Sequence, residues 1–121
     1  MTKRMLAFKQ ICESFHLHIL YIFGSRSKQV RRWLHGELER MDPGPSDIDV
    51  GVKPAPGEVF TVQNKVNLAT ALEDFFGVNR VDLVSLSDAD PFLAANIIRG
   101  ERLYAQDEYL ADEYDLTSDV K

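Results

Sequence analysis

The feature that most constrains the fold is an apolar run, Leu17–Phe23, which ends directly in Gly24 and Ser25. Its isoleucine, leucine, tyrosine and phenylalanine residues are typical of a β-strand. The glycine permits a tight turn, and Ser25 is a favourable N-cap for a helix that begins just beyond it. Backbone N–H groups at the start of that helix could hold a phosphate. Taken alone, the two residues also fit an ordinary strand-to-helix turn.

Two aspartates lie one residue apart in a second, short apolar segment, Ser46-Asp47-Ile48-Asp49-Val50. On a β-strand, Asp47 and Asp49 would project from the same face while Ile48 enters the core. Two like charges held this close need a cation. Magnesium suits such a site, because it binds one or two protein carboxylates together with substrate phosphates. The pattern therefore predicts a metal–phosphate site.

A third acidic residue, Asp82, lies inside another apolar segment, residues 80–86. A lone carboxylate in an apolar strand is costly unless it is paired or bound to metal. We therefore expect Asp82 to be the third member of the site.

The remaining periodicity predicts alternating helices and strands, and hence an α/β (α+β) fold. We expect strands at residues 16–23, 47–52, 80–86 and 102–105, and helices at 3–15, 28–41, 58–76, 90–99 and 107–114. The turn after the second helix is predicted at residues 42–45, and a frayed polar tail from about residue 115. The third helix would bury an apolar stripe made of Val59, Val62, Val66, Ala69, Leu72 and Phe76.

Length, charge and cysteine content restrict the classes of protein that fit. A chain of 121 residues corresponds to a single domain. Its only cysteine, Cys12, excludes an intrachain disulfide and a cysteine metal cluster. The net charge of −5 makes general nucleic-acid binding unfavourable. No apolar run is long enough to span a bilayer and the first residues lack signal-peptide features, so we expect a cytoplasmic location.

Three carboxylates on two neighbouring strands beside a phosphate-binding turn suit phosphoryl or nucleotidyl transfer. Two magnesium ions would clamp the attacking and leaving oxygens of an in-line displacement. We expect Asp47 and Asp49 to hold the ions through the triphosphate. Asp82 would hold the catalytic ion and could accept the proton of the attacking hydroxyl.

The nucleotide end of this predicted site lies at the glycine–serine turn. Gly24 and Ser25 would grip the β- and γ-phosphates through backbone N–H groups and the serine hydroxyl. Arg26 would add positive charge there. These three residues are therefore the predicted nucleotide-binding set.

The order of these motifs resembles the nucleotidyltransferase superfamily of DNA polymerase beta. The resemblance depends on Phe23-Gly24-Ser25-Arg26, Ser46-Asp47-Ile48-Asp49 and Val81-Asp82-Leu83. The small size, together with the segment at residues 97–104, is similar to the minimal nucleotidyltransferase branch. This resemblance implies a short mixed β-sheet packed with helices. It also implies Mg2+-dependent transfer of a nucleoside monophosphate, usually AMP from ATP.

The resemblance implies a partner as well. Minimal nucleotidyltransferases are often paired with a small helical HEPN toxin, which the nucleotidyltransferase, as antitoxin, can neutralise by transferring AMP to a tyrosine. One departure is that the helix predicted at residues 28–41 looks inserted or lengthened relative to the branch. Two alternatives stay open: an antitoxin that neutralises its toxin by binding alone, and a small-molecule (antibiotic) nucleotidyltransferase. Enzymes of the second kind usually carry an additional acceptor-binding domain.

Overall fold

Helices and strands alternate along the chain in the computed structural model, which describes residues 1–42 and 47–119. The elements are α1 (Lys3–Ser14), β1 (Leu17–Phe23), α2 (Ser27–Leu34), β2 (Ile48–Pro54), α3 (Val62–Phe76), β3 (Val81–Ser85), α4 (Pro91–Ile98), β4 (Glu101–Ala105) and α5 (Glu108–Asp119). Within these described residues, no helix is both long and apolar enough to cross a membrane.

The strands form one mixed sheet in the order β3-β2-β1-β4. β1 pairs antiparallel with both β2 and β4, whereas β3 pairs parallel with β2. The predicted α/β class, with a short mixed sheet packed by helices, is confirmed.

β1 is buried on both faces, because helices cover both sides of the sheet. Leu20 and Ile22 pack with residues of α1, α2 and α3. Ile19 and Tyr21 pack with residues of α4 and α5 on the opposite face. Leu17 departs from the alternation of a regular strand, because it joins the first cluster although Ile19 joins the second. The pairing register with β2 shifts between Leu17 and Ile19, and this bulge moves Leu17 to the other face.

α2 ends at Leu34, earlier than the predicted helix at residues 28–41. Gly36 adopts a φ of 78° and donates its N–H to the Trp33 carbonyl, while Glu37 donates to the Arg32 carbonyl. This pair of hydrogen bonds is a Schellman motif, in which a glycine with positive φ ends a helix. The turn predicted at residues 42–45 lies, apart from its first residue, outside the described residues.

α3 begins at Val62, where Thr61 and Asn64 form a capping box. The apolar stripe predicted for this helix is wrong in its first half, because Val62 is 80% exposed. Val59 and Val66 are exposed as well. The buried face instead consists of Leu68, Leu72 and Phe76. At the C-terminal end of the helix, edge-to-face packing of Phe75 and Phe76 against Trp33 orients that face.

α5 continues to Asp119, past the point at which the sequence predicted a frayed tail. Arg102 on β4 forms ion pairs with Glu108, Asp112 and Asp115 of this helix. The buried Tyr21 hydroxyl donates a hydrogen bond to Asp115. Burial and this hydrogen bond raise the pKa of Tyr21. These contacts hold α5 against the sheet as far as Asp115, and the frayed tail predicted beyond that residue stays a prediction.

The packing of α4 on β2 generates a stability prediction. Gly51 lies directly beneath Ile97, and a Cβ at Gly51 would overlap the Ile97 side chain. We expect Gly51→Ala to lower the free energy of unfolding by about 1–3 kcal/mol through overpacking. In an Ile97→Ala background, the same change is expected to cost little, because the added methyl enters vacated space. Urea unfolding of the four proteins measures this coupling, and equal costs in both backgrounds would contradict it.

Candidate active site

Three segments of the chain meet at one edge of the sheet. Phe23, the last residue of β1, pairs with Asp49 near the start of β2. Asp49 in turn pairs with Asp82 near the start of β3. Because β1 is antiparallel to β2 and β3 is parallel to it, the end of β1 and the starts of the other two strands lie together. The pairing therefore brings Gly24 to the same place as two of the predicted acidic residues.

Position 24 requires a glycine, because the Asp49 carboxylate lies where a side chain would begin. Its φ is 76°, a conformation that residues with a side chain rarely adopt. A Cβ at this position would overlap the carboxylate of Asp49, which lies against the glycine. The turn and the acidic residue therefore form one unit, in which the absence of a side chain makes room for a carboxylate.

The start of α2 differs from the predicted cap. The N-cap is Arg26, whose side chain makes no capping hydrogen bond, so the prediction that Ser25 caps the helix is wrong. The Ser27 N–H bonds to the Gly24 carbonyl, which places the exposed Ser25 inside the turn before the helix. The first N–H groups of a helix have no intrahelical partner. In the absence of a capping side chain, they are suited to binding an anion.

Arg26 is 9% exposed, and its guanidinium packs inward. It donates hydrogen bonds to the Gln29 side chain at 3.0 Å and to the Asp42 carbonyl. These contacts connect the turn to the segment that follows α2. Its predicted contact with nucleotide stays a prediction.

The three predicted acidic residues interact electrostatically. Partial burial raises the pKa of Asp49, and the charges of Asp82 and Asp47 raise it further. Asp82 itself is exposed, so its place in β3 carries no burial penalty, contrary to the expectation from its apolar neighbours in sequence. Asp47 precedes β2 and is partly exposed. Burial is the largest cause of the raised pKa of Asp49, and the like-charge repulsion that adds to it is the part that a bound cation would relieve.

These residues fit a magnesium ion that is completed by substrate. Among the residues that the structure describes, no three His, Cys, Asp or Glu side chains are arranged to hold a metal ion by themselves. Magnesium does not require three, because it is commonly bound by one or two carboxylates, water and substrate phosphates. Asp49 with Asp82 or Asp47 meets that requirement. The assignment of all three aspartates as ligands stays a prediction.

Arg80 is a member of the site that the sequence pattern did not reveal. Its Nε lies 3.4 Å from Oδ2 of Asp47. A signal was present, because Arg80 directly precedes β3 as Asp47 directly precedes β2. Had the two strands been known to be parallel neighbours, the two residues would have been expected side by side.

The chain matches one family model in sequence and several solved structures in fold. Residues 7–109 match the family model described as polymerase beta, nucleotidyltransferase. The comparison with curated protein sequences gave no match.

The fold match is to solved structures. A toxin–antitoxin structure with AMP-PNP has a TM-score of 0.66 and 20% identity, covering 96% of this chain and 81% of that one. A Shewanella oneidensis complex of a tri-AMPylated HEPN toxin with an MNT antitoxin has a TM-score of 0.63 and 18% identity, covering 95% and 80%. A candidate minimal nucleotidyltransferase has a TM-score of 0.57 and 26% identity, covering 81% and 86%. The predicted resemblance and its fold are confirmed.

The contact between Gly24 and Asp49 can be tested by substitution. We expect Gly24→Ala to lower the free energy of unfolding by about 2–4 kcal/mol, from backbone strain and the displaced carboxylate together. Gly57→Ala is the matched control, because Gly57 also has a positive φ, of 83°, but a Cβ there would meet no atom within 4 Å. The control should lose only about 1 kcal/mol. Equal losses by urea unfolding would show that the Asp49 contact contributes nothing.

The raised pKa of Asp49 predicts a pH dependence of stability. The folded protein holds this proton more tightly than the unfolded chain, so its contribution to stability falls as the pH rises above the ordinary value of 3.8. Asp49→Asn has no ionisable group at this position and therefore does not lose stability in this way as the pH rises. We expect the variant to gain stability over the wild type between acidic pH and pH 7, whereas Asp74→Asn, at an exposed position on α3, should not. Parallel pH profiles for wild type and Asp49→Asn would contradict the shift.

Proposed function

The chain belongs to the polymerase beta nucleotidyltransferase family, and from this premise we propose that it transfers AMP from ATP to a partner protein. The partner we propose is a HEPN-type toxin, and the acceptor a tyrosine hydroxyl of that toxin. In this role the protein is an antitoxin that neutralises its toxin by covalent modification.

The observation that carries the proposal is the meeting of Asp49, Asp82 and Asp47 beside Gly24. The acidic side chains supply oxygen ligands for Mg2+, and the uncapped start of α2 supplies N–H groups for phosphate. A basic first half of the chain, with nine Lys and Arg against six Asp and Glu in residues 1–53, suits a polyphosphate ligand. The triphosphate and its metal ion therefore both have complementary groups in this site.

Each residue has a role that follows from its position. Gly24 leaves room for the Asp49 carboxylate and exposes backbone N–H groups to the β- and γ-phosphates, with the Ser25 hydroxyl beside them. Asp47, Asp49 and Asp82 would hold Mg2+, which neutralises the charge that develops on the transferred and leaving phosphates. Asp82 is the most solvent-accessible of the three and would accept the acceptor hydroxyl's proton as the hydroxyl oxygen attacks the α-phosphorus. Pyrophosphate then leaves.

The choice of nucleotide and partner is supported by the structural relatives. One of them was solved with AMP-PNP, and another contains an AMPylated HEPN toxin bound to its antitoxin. This chain shares their fold over nearly its whole length. ATP and a HEPN partner are the substrates that we accordingly propose for it.

A second candidate function is neutralisation by binding alone. It is favoured by large apolar side chains that the structure leaves in solvent, among them Phe92, which is 90% exposed at the start of α4. Exposed aromatic residues of this kind are common at protein–protein contacts. Such a surface would serve an antitoxin whether or not it is also an enzyme.

Label transfer distinguishes the two functions. The protein is incubated with α-labelled ATP, Mg2+ and a candidate HEPN partner. We expect label on the partner, and a loss of about 10³-fold or more in rate for Asp47→Asn combined with Asp49→Asn, since several kcal/mol of charge stabilisation are removed. Asp74→Asn is the control and should keep full activity.

Toxin neutralisation is measured in parallel with the same variants. If the double variant neutralises as well as the wild type, binding rather than catalysis is the antitoxin activity. Absence of label on the partner with the wild-type protein, under conditions in which it binds ATP, would contradict AMP transfer.

A further inference from the structure

Arg80 is placed beside the proposed metal site by the backbone and not only by its own flexible side chain. The Ile48 N–H donates to the Arg80 carbonyl at 3.3 Å, which extends the parallel pairing of β2 and β3 by one residue. Arg80 and Asp47 therefore stand side by side at the starts of adjacent strands. The Nε to Oδ2 distance of 3.4 Å completes an ion pair between them.

We propose that Arg80 is a countercation built into the site, which occupies Asp47 in the metal-free protein and must release it to the metal ion. This inference rests on the proposed function, because it assumes that Asp47 binds a divalent cation. It assigns to Arg80 a positioning role that sets the affinity of the site for metal.

The charges explain why such a residue is useful in the metal-free state. Asp47, Asp49 and Asp82 bring like charges together. The charges of Asp82 and Asp47 add to the effect of burial in raising the pKa of Asp49. A guanidinium beside Asp47 offsets part of that repulsion. Without it, Asp47 would lose this ion pair while lying one residue from the carboxylate of Asp49.

The exposure of the pair explains why a metal ion can replace the arginine. The Arg80 side chain is 71% exposed and that of Asp47 38% exposed. Exposed ion pairs contribute little to stability, because both groups remain close to water. A divalent ion carries twice the charge of the guanidinium and can also bind Asp49. Arg80 therefore stabilises the empty site slightly and weakens binding of the ion that replaces it.

The test is a titration of the purified protein with Mn2+, followed by the electron paramagnetic resonance signal of the free ion. We expect Arg80→Ala to bind Mn2+ about threefold to tenfold more tightly than the wild type at low ionic strength. Arg80→Gln should behave in the same way, and Arg80→Lys should remain close to the wild type. High salt should shrink the difference, since it screens exposed charges.

Two further proteins make the test specific. Arg32→Ala is the matched control, because Arg32 forms a similar exposed ion pair, with Glu37 at 3.7 Å, outside the site. It should leave Mn2+ affinity unchanged. In an Asp47→Asn background, Arg80→Ala should change Mn2+ affinity less than about twofold, because the carboxylate through which the arginine acts is gone.

The outcomes separate this inference from the proposed function. Measurable Mn2+ binding that is equal in wild type and Arg80→Ala, or weaker in the variant, overturns the role of Arg80 and leaves the proposed function standing. A wild-type protein that binds no Mn2+ in the absence of nucleotide overturns the inference alone, because the proposed function requires the ion only together with substrate phosphates. Thermal unfolding provides a second readout: Arg80→Ala should melt lower without metal and gain more from added Mn2+ than the wild type does.

Discussion

The hydrogen bonding of β1 on both of its edges is the constraint on which the rest of the structure depends. β1 pairs with β2 on one side and β4 on the other, and both of its faces are buried. A strand enclosed in this way has one register available to it. That register sets Phe23 opposite Asp49, so the residue after the strand, Gly24, has to lie under a carboxylate. Core packing thereby determines the geometry of an exposed site.

Local chemical patterns made most of the fold predictable, and distant contacts account for the differences. The strands, the end of the third helix at residue 76 and the start of the fourth near residue 90 depend on neighbouring residues, and their positions were predicted from the sequence. The extent of α5 depends on a hydrogen bond from Tyr21, which is 94 positions from Asp115, and on ion pairs with Arg102 of the neighbouring strand β4. The burial of α3 likewise depends on aromatic contacts with another helix. No periodicity in a single segment contains that information.

The candidate site, like the fold, was predictable from the sequence only in part. Asp47, Asp49 and Asp82 were predicted as a set because an acidic residue in an apolar segment is conspicuous. In the structure, the charges of Asp82 and Asp47 add to the burial that raises the pKa of Asp49. Which residues stand beside them was not predictable, because it follows from the parallel pairing of β2 with β3. Arg80 is outside any strand and resembles an ordinary surface arginine in the sequence. Only the sheet register turns it into the neighbour of Asp47.

The hydrogen bond between Tyr21 and Asp115 has a consequence for the order of folding. It joins residues that are 94 positions apart, and contacts of such separation carry a large loop-closure entropy. β1, β2 and β3 can pair once the first 85 residues are available, whereas β4 and α5 come later in the chain. During synthesis we therefore expect the strands that carry the candidate site to pair while the other edge of β1 is still unpaired. That open edge would be an early target for chaperones or for mispairing between nascent chains.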